Sequence, residues 1–102
     1  MYENLAYIEL IRRGREVYYW KGEYDNEVDF LLRNNTQVDE LIKVCYNLDD
    51  EKTKSREVNA LVKALTEFKL KKGLIITSDY EGSEKIDGKK IKYIPLWRWL
   101  LS

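Results

Sequence analysis

The chain has 102 residues, 44% hydrophobic and 13% aromatic, with 18 Lys plus Arg against 18 Asp plus Glu and no His. That length fits one domain, burying roughly two thirds of the surface its unfolded chain exposes, and a net charge of zero argues against a dominant nucleic-acid footprint. A single Cys cannot close an internal disulfide, the residues for the usual structural zinc spacings are missing, and no apolar run approaches the ~20 residues of a membrane helix.

Charge begins at Glu3 with no apolar stretch before it, so no signal peptide is read and the expectation is a soluble, cytoplasmic protein. Residues 2–13 have helical spacing through Leu5, Ile8 and Ile11, with Arg12 and Arg13 in the last turn, where cations suit the helix dipole, and Gly14 as the stop. Glu16 to Lys21 reads as a strand from its β-branched and aromatic content, with large apolar groups on both faces that predict cover on both sides. A loop over 22–26 leads to a second strand, Glu27 to Arg33, and Asn34-Asn35 suits a tight turn because Asn tolerates positive φ. The third strand runs from Gln37 to Leu48, with Val38, Ile42, Val44 and Tyr46 expected on one face.

Asp49 or Asp50 can cap a helix over 51–70, whose stripe is Val58, Leu61, Val62, Leu65 and Phe68 and whose other face is Lys, Arg and Glu. Leu74 to Thr77 is continuously apolar, the pattern of a strand buried on both faces. Strand, helix and buried strand make a crossover unit, which predicts parallel pairing. Residues 78–84 read as loop, Asp87-Gly88 as a hairpin turn and Ile91 to Ile94 as a last strand ended by Pro95. Leu96 to Leu101 closes the chain as a short apolar helix or extended cap, with Trp97 and Trp99 either covering the core or docking on another protein. No internal repeat, low-complexity segment or linker is visible.

An acid, Asp29, stands inside an otherwise apolar strand, and Lys43 and Cys45 share one face of the next strand because side chains alternate. A register placing Asp29 beside Lys43 gathers three functional side chains at one spot; a slip of one residue undoes it. Lys69, Lys71 and Lys72, and Lys85, Lys89, Lys90 and Lys92, are candidates for a local basic patch, with solvated surface lysines as the plainer reading.

The element order αβββαβ, followed by a strand and a terminal turn, resembles the core of the PD-(D/E)XK nuclease superfamily, the restriction-endonuclease-like fold that includes Holliday junction resolvases. The stretches ENLAYIELIRRGREVYYWKG, EVDFLL, LIKVCYNL and IPLWRWLL resemble the C-terminal nuclease-like domain of archaeal and bacterial AAA+ ATPases, over nearly the whole chain. The resemblance implies an α/β fold with a mixed sheet flanked by helices, plus a C-terminal strand and short terminal helix. It also implies that residues 1–102 form a single nuclease-like domain, a fragment or C-terminal module of a longer ATPase. The motor itself is not written here, since no Gly-rich phosphate loop of the Walker type occurs in the chain.

In active members of that superfamily the motif Asp binds a divalent metal, an acid or amide on the next strand joins it, and a Lys two residues on positions water. Phosphodiester hydrolysis needs the ion to polarise phosphate and lower the pKa of water, and Mg²⁺ takes hard oxygen ligands. By that resemblance Glu3 and Asp29 fall at metal-ligand positions, Lys43 at the second acid and Cys45 at the lysine. An ammonium at a ligand position repels the ion by about 4 kcal/mol a few Å away at an effective dielectric near 20. The site therefore reads as degenerate, with an Asp29–Lys43 ion pair in place of the metal.

Each residue also has a plainer reading: a structural carboxylate for Asp29, a first-turn acid for Glu3, a buried thiol for Cys45. Glu23, Asp25 and Glu27 are loop acids or alternative oxygens, and Tyr18, Tyr19, Trp20 and Tyr24 are surface aromatics or base-stacking groups. The reading is a nuclease-like accessory domain of an AAA+ ATPase with a degenerate, inactive site, binding an ATPase domain in cis or on another protomer, or DNA, and no cofactor. The alternatives are an active Mg²⁺-dependent, resolvase-like endonuclease using Glu3, Asp29 and Glu27, and a structural domain that forms a homo-oligomer through its aromatic end.

Overall fold

The computed structural model describes residues 2–21, 28–45, 48 and 50–102, and for Tyr2, Glu3, Trp20, Lys21, Val28 and Asp29 the backbone alone. The elements in chain order are α1 (Tyr2–Arg12), β1 (Glu16–Lys21), β2 (Val28–Asn34), β3 (Gln37–Val44), α2 (Glu51–Glu67), β4 (Lys72–Thr77), β5 (Gly82–Ile86), β6 (Lys89–Pro95) and α3 (Leu96–Leu101). The six strands form one mixed sheet in the order β1-β2-β3-β4-β6-β5. β1, β2 and β3 meander antiparallel, β3, β4 and β6 run parallel, and β5 returns antiparallel to β6.

The expected α/β fold, with its mixed sheet and flanking helices, is the one observed. Leu74 to Thr77 lies inside β4 between two parallel neighbours, and α2 makes the crossover from β3. α2 starts at Asp50, whose side chain accepts from the Lys52 N–H at 3.1 Å and the Thr53 hydroxyl at 3.0 Å, satisfying donors that a helix start leaves open. It ends at Glu67, three residues before the expected end at 70, where Lys69 takes φ 59 and turns the chain back towards the sheet. Asp87 (φ 51) and Gly88 (φ 80) make the expected β5–β6 turn, both central residues having the positive φ that twisted hairpins require.

Three expectations are corrected. Residues 82–84, read as loop, belong to β5; its polar sequence GSEKI fits an edge strand with little to bury. β1 is not covered on both sides: it is the other edge, with Tyr18 and Tyr19 exposed. Val38 does not share a face with Ile42 and Val44. Leu32 pairs with Glu40 but Arg33 pairs with Val38, so Asp39 is an extra residue in β3. That bulge reverses the alternation, and Val38 packs with the α2 side while Ile42 and Val44 face the other.

The sheet divides two cores. Under α2 lie Leu31, Leu41, Cys45, Leu61, Leu65, Ile75, Ile91 and Tyr93. Under α1 and α3 lie Ala6, Leu10, Phe30, Leu32, Ile42, Ile76, Ile94 and Trp99. Trp99 is buried and Trp97 is 58% exposed, so one indole covers the core and the other reaches solvent. α1 and α3 are joined by Arg13. Its Nε donates to Glu9 at 2.6 Å, its Nη2 to the Trp99 carbonyl at 2.9 Å and the Ser102 carbonyl at 3.3 Å, and its guanidinium sits 4.6 Å over the Trp99 ring. The last carbonyls of a helix are good acceptors for such a cation.

Hydrogen bonds from Arg12 and Arg13 hold the Glu9 carboxyl down from its ordinary 4.5 to about 2. A depressed carboxylate stabilises the fold fully above its unfolded pKa and loses that effect as pH falls through its folded value. Urea unfolding of wild type and Glu9→Gln should therefore differ most above pH 4.5, with the gap closing towards pH 2. A gap that stays constant across that range would refute the assignment.

Candidate functional site

At the α2 face, the register runs Asp29, Lys43, Ile75, Tyr93 and Gly82 across five strands, each Cα beside the next. The expected pairing of Asp29 with Lys43 is thus present in the backbone. The side chains of Asp29 and Glu3 lie outside the described residues, as do Glu23, Asp25 and Glu27 and the side chains of Trp20 and Tyr24. Glu3 is carried by α1, on the other face of the sheet from α2.

Lys43 is 1% exposed, and its Nζ lies 3.1 Å from Oε2 of Glu57, itself 1% exposed. Arg56 reaches Glu57 Oε1 from the rim of α2 at 3.6 Å. Neither carboxylate oxygen of Glu57 receives a well-aligned hydrogen bond from a described residue, so the Lys43 contact is an ion pair set by charge more than by direction. Removing two charges from water costs several kcal/mol per ion, and mutual attraction returns that only when both are present.

Sequence reasoning misses the partner, Glu57, because hydropathy places the Lys, Arg and Glu residues of this helix together on its solvent face. Its signal was in the spacing: Glu57 stands four residues before Leu61 and eight before Leu65, on the buried stripe.

Beside the pair, Cys45 is buried against the α2 cluster, and its N–H donates to the Ile76 carbonyl at 2.9 Å. Thr77, also buried, exchanges hydrogen bonds with the Tyr80 backbone, accepting at 3.0 Å and donating at 2.7 Å. The Tyr93 hydroxyl donates to Glu84, and the Lys54 ammonium lies 4.0 Å from the same carboxylate and 5.3 Å and 5.4 Å over the Tyr80 and Tyr93 rings. Burial, then the Glu84 contact, pushes the Tyr93 phenol well above its ordinary value, so it stays a proton donor.

Buried polar groups therefore gather where the parallel strands end beneath the first turns of α2. Open α/β sheets carry their crevices at the carboxyl ends of such strands. The described members do not suit a hard divalent ion. Lys43 has no lone pair to give while charged, Glu57 already balances it, and Cys45 offers a soft sulfur among apolar groups. Among the described residues no three His, Cys, Asp or Glu side chains are placed to hold a metal.

The architecture and this buried pair define a mixed α/β domain with an ion pair enclosed between its sheet and α2. Residues 1–99 match the family described as Domain of unknown function (DUF4143), and the chain belongs to that family, which is typically found at the C-terminus of AAA ATPases. No curated protein and no solved structure compared with the chain matches it. No helix among the described residues is long and apolar enough to cross a membrane.

Breaking the pair should cost far more than deleting it. Lys43→Met leaves the Glu57 carboxylate buried beside the exposed Arg56 alone, a loss of about 3–5 kcal/mol in urea unfolding at pH 7. Lys43→Met combined with Glu57→Leu should recover most of it. A double variant as unstable as the sum of its singles would show that the two charges are not coupled.

Proposed function

We propose that the chain is a nuclease-like accessory module of an AAA+ ATPase whose metal-dependent site has lost its chemistry. On this reading it acts by binding, to an ATPase domain in cis or on another protomer, or to DNA. Family membership supports the ATPase association. The observation that carries the loss of chemistry is Lys43. The resemblance of EVDFLL and LIKVCYNL to nuclease motifs puts a metal-binding acid at that position. Here it holds a buried ammonium in register with Asp29 and balanced by Glu57.

The substitution works against metal binding twice. An ammonium repels a divalent ion at close range, and the carboxylate nearest to it is already committed. Cys45, at the position of the water-positioning lysine, packs in the α2 core and brings no cation to phosphate. No His occurs in the chain to activate that thiol as a nucleophile.

The test is cleavage of branched and linear DNA with Mg²⁺ or Mn²⁺, with Asp29→Ala in parallel. Neither protein should cut. Metal-dependent cleavage that disappears in Asp29→Ala would replace this reading with an active, resolvase-like endonuclease.

A further inference from the structure

The far side of the sheet carries a feature that the polar centre does not use. In the β4–β6 register Lys72 stands directly beside Lys90, and in the β5–β6 register Lys90 stands directly beside Lys85. Paired residues in a sheet project from the same face. Ile91 and Tyr93, which alternate with Lys90 and Lys92, belong to the α2 core, so all four lysines, Lys72, Lys85, Lys90 and Lys92, project from the opposite face. All four are exposed. α3 covers only the other end of these strands, over Ile76 and Ile94.

This row is unfavourable for the protein alone. Like charges directly opposite in a sheet destabilise it, and three here sit on adjacent strands about 4.8 Å apart. No ion pair among the described residues relieves any of the four. The one acid within β5, Glu84, is paired with Ile91 and turned to the α2 face, where it meets Tyr93. On β3, Glu40 is engaged by Arg15 at 3.1 Å. Zero net charge thus conceals a segregated cationic surface.

We infer that this lysine face docks the phosphate backbone of duplex DNA. Charge complementarity carries the choice of partner. The three-strand row spans about 10 Å, over which a duplex presents roughly six phosphate charges, at one per ~1.7 Å of axis. An anionic membrane would call for apolar side chains among the cations. Among the described residues, none of the exposed large hydrophobics lies on β4, β5 or β6. Lysine ammoniums on a flat face act as point charges and read no base edge, so the binding is independent of sequence.

This deepens the reading of the chain as a binding module, and its test is separate from the cleavage assay. A 20-bp duplex is titrated by fluorescence anisotropy from 50 to 200 mM salt. The proteins compared are wild type, the triple variant Lys72→Gln, Lys85→Gln, Lys90→Gln, and a control carrying Lys52→Gln and Lys63→Gln on the outer face of α2. Each phosphate contact contributes a salt slope of about −0.9 in log affinity. The triple variant should flatten the slope by nearly three and the control should match wild type. Relieved of its repulsion, the triple variant should melt no lower than wild type. No duplex binding at 50 mM salt, or equal slopes in wild type and triple variant, would overturn the inference. So would a triple variant that loses retention on phosphatidylserine vesicles but keeps duplex affinity. Cleavage by wild type would remove the inactive-site reading and leave this inference to the salt slopes.

Discussion

The ion pair between Lys43 and Glu57 is the constraint to which the α2 side of the molecule answers. Both groups are almost wholly removed from water, and the buried Glu57 carboxylate is not tolerable there without the Lys43 ammonium. That fixes the rotation of α2, since turning the helix by one residue would bring Arg56 or Val58, not an acid, to the buried ammonium. It also fixes the register of β3, because a slip of one position would send Lys43 to the α1 side, where Phe30, Ile42 and Ile94 offer no counter-charge. Gly73 completes the arrangement: a Cβ there would meet Leu61 and Leu65 side-chain carbons at 2.9 Å, so its absence lets α2 lie close enough for the pair to form. Charge pairing thus makes specific what the apolar stripe alone would leave loosely determined.

The two helical layers are built on different terms. α2 turns Lys52, Arg56, Asn59 and Lys63 to solvent, and its apolar residues inward. α1 buries Ala6, Leu10 and Glu9 yet leaves Leu5, Ile8 and Ile11 between 43% and 55% exposed. The sheet edges differ in the same way. β5 is short and carries Glu84 and Lys85, features that discourage pairing with another chain, whereas β1 presents two tyrosines. Tyr19 is partly sheltered by stacking on Tyr7 at 5.5 Å. The molecule has a polar side and a less finished one, and the buried pair lies beneath the polar side.

What could be read in the sequence follows from how strongly one face of each segment is buried. β4 is apolar from Leu74 to Ile76 because both its faces are covered there, and that is visible without a structure. The stripe of α2 is equally plain, as is the Asp-Gly turn that joins β5 to β6. Glu57 escaped because hydropathy spacing assigns a carboxylate to solvent, and only its partner on β3 explains its burial. The Asp39 bulge escaped because alternation is local and one extra residue leaves no mark in composition. β5 escaped because an exposed edge strand asks little of its side chains. The cationic face was half visible: two lysine clusters stand out in the sequence, but that Lys72, Lys85 and Lys90 form one row is a fact of topology, since β6 lies between β4 and β5.

The Arg13 clasp has a consequence for the time order of folding. It joins residue 13 to carbonyls 86 and 89 positions later in the chain, among the most distant contacts a sequence of this length allows. A nascent chain emerging at roughly 5–20 residues per second has made α1 several seconds before α3 exists. During that interval Ala6 and Leu10 have β-meander residues to pack on but no Trp99, and Arg13 has only Glu9. Among the helices of this domain α1 is therefore the first made and the last to be secured.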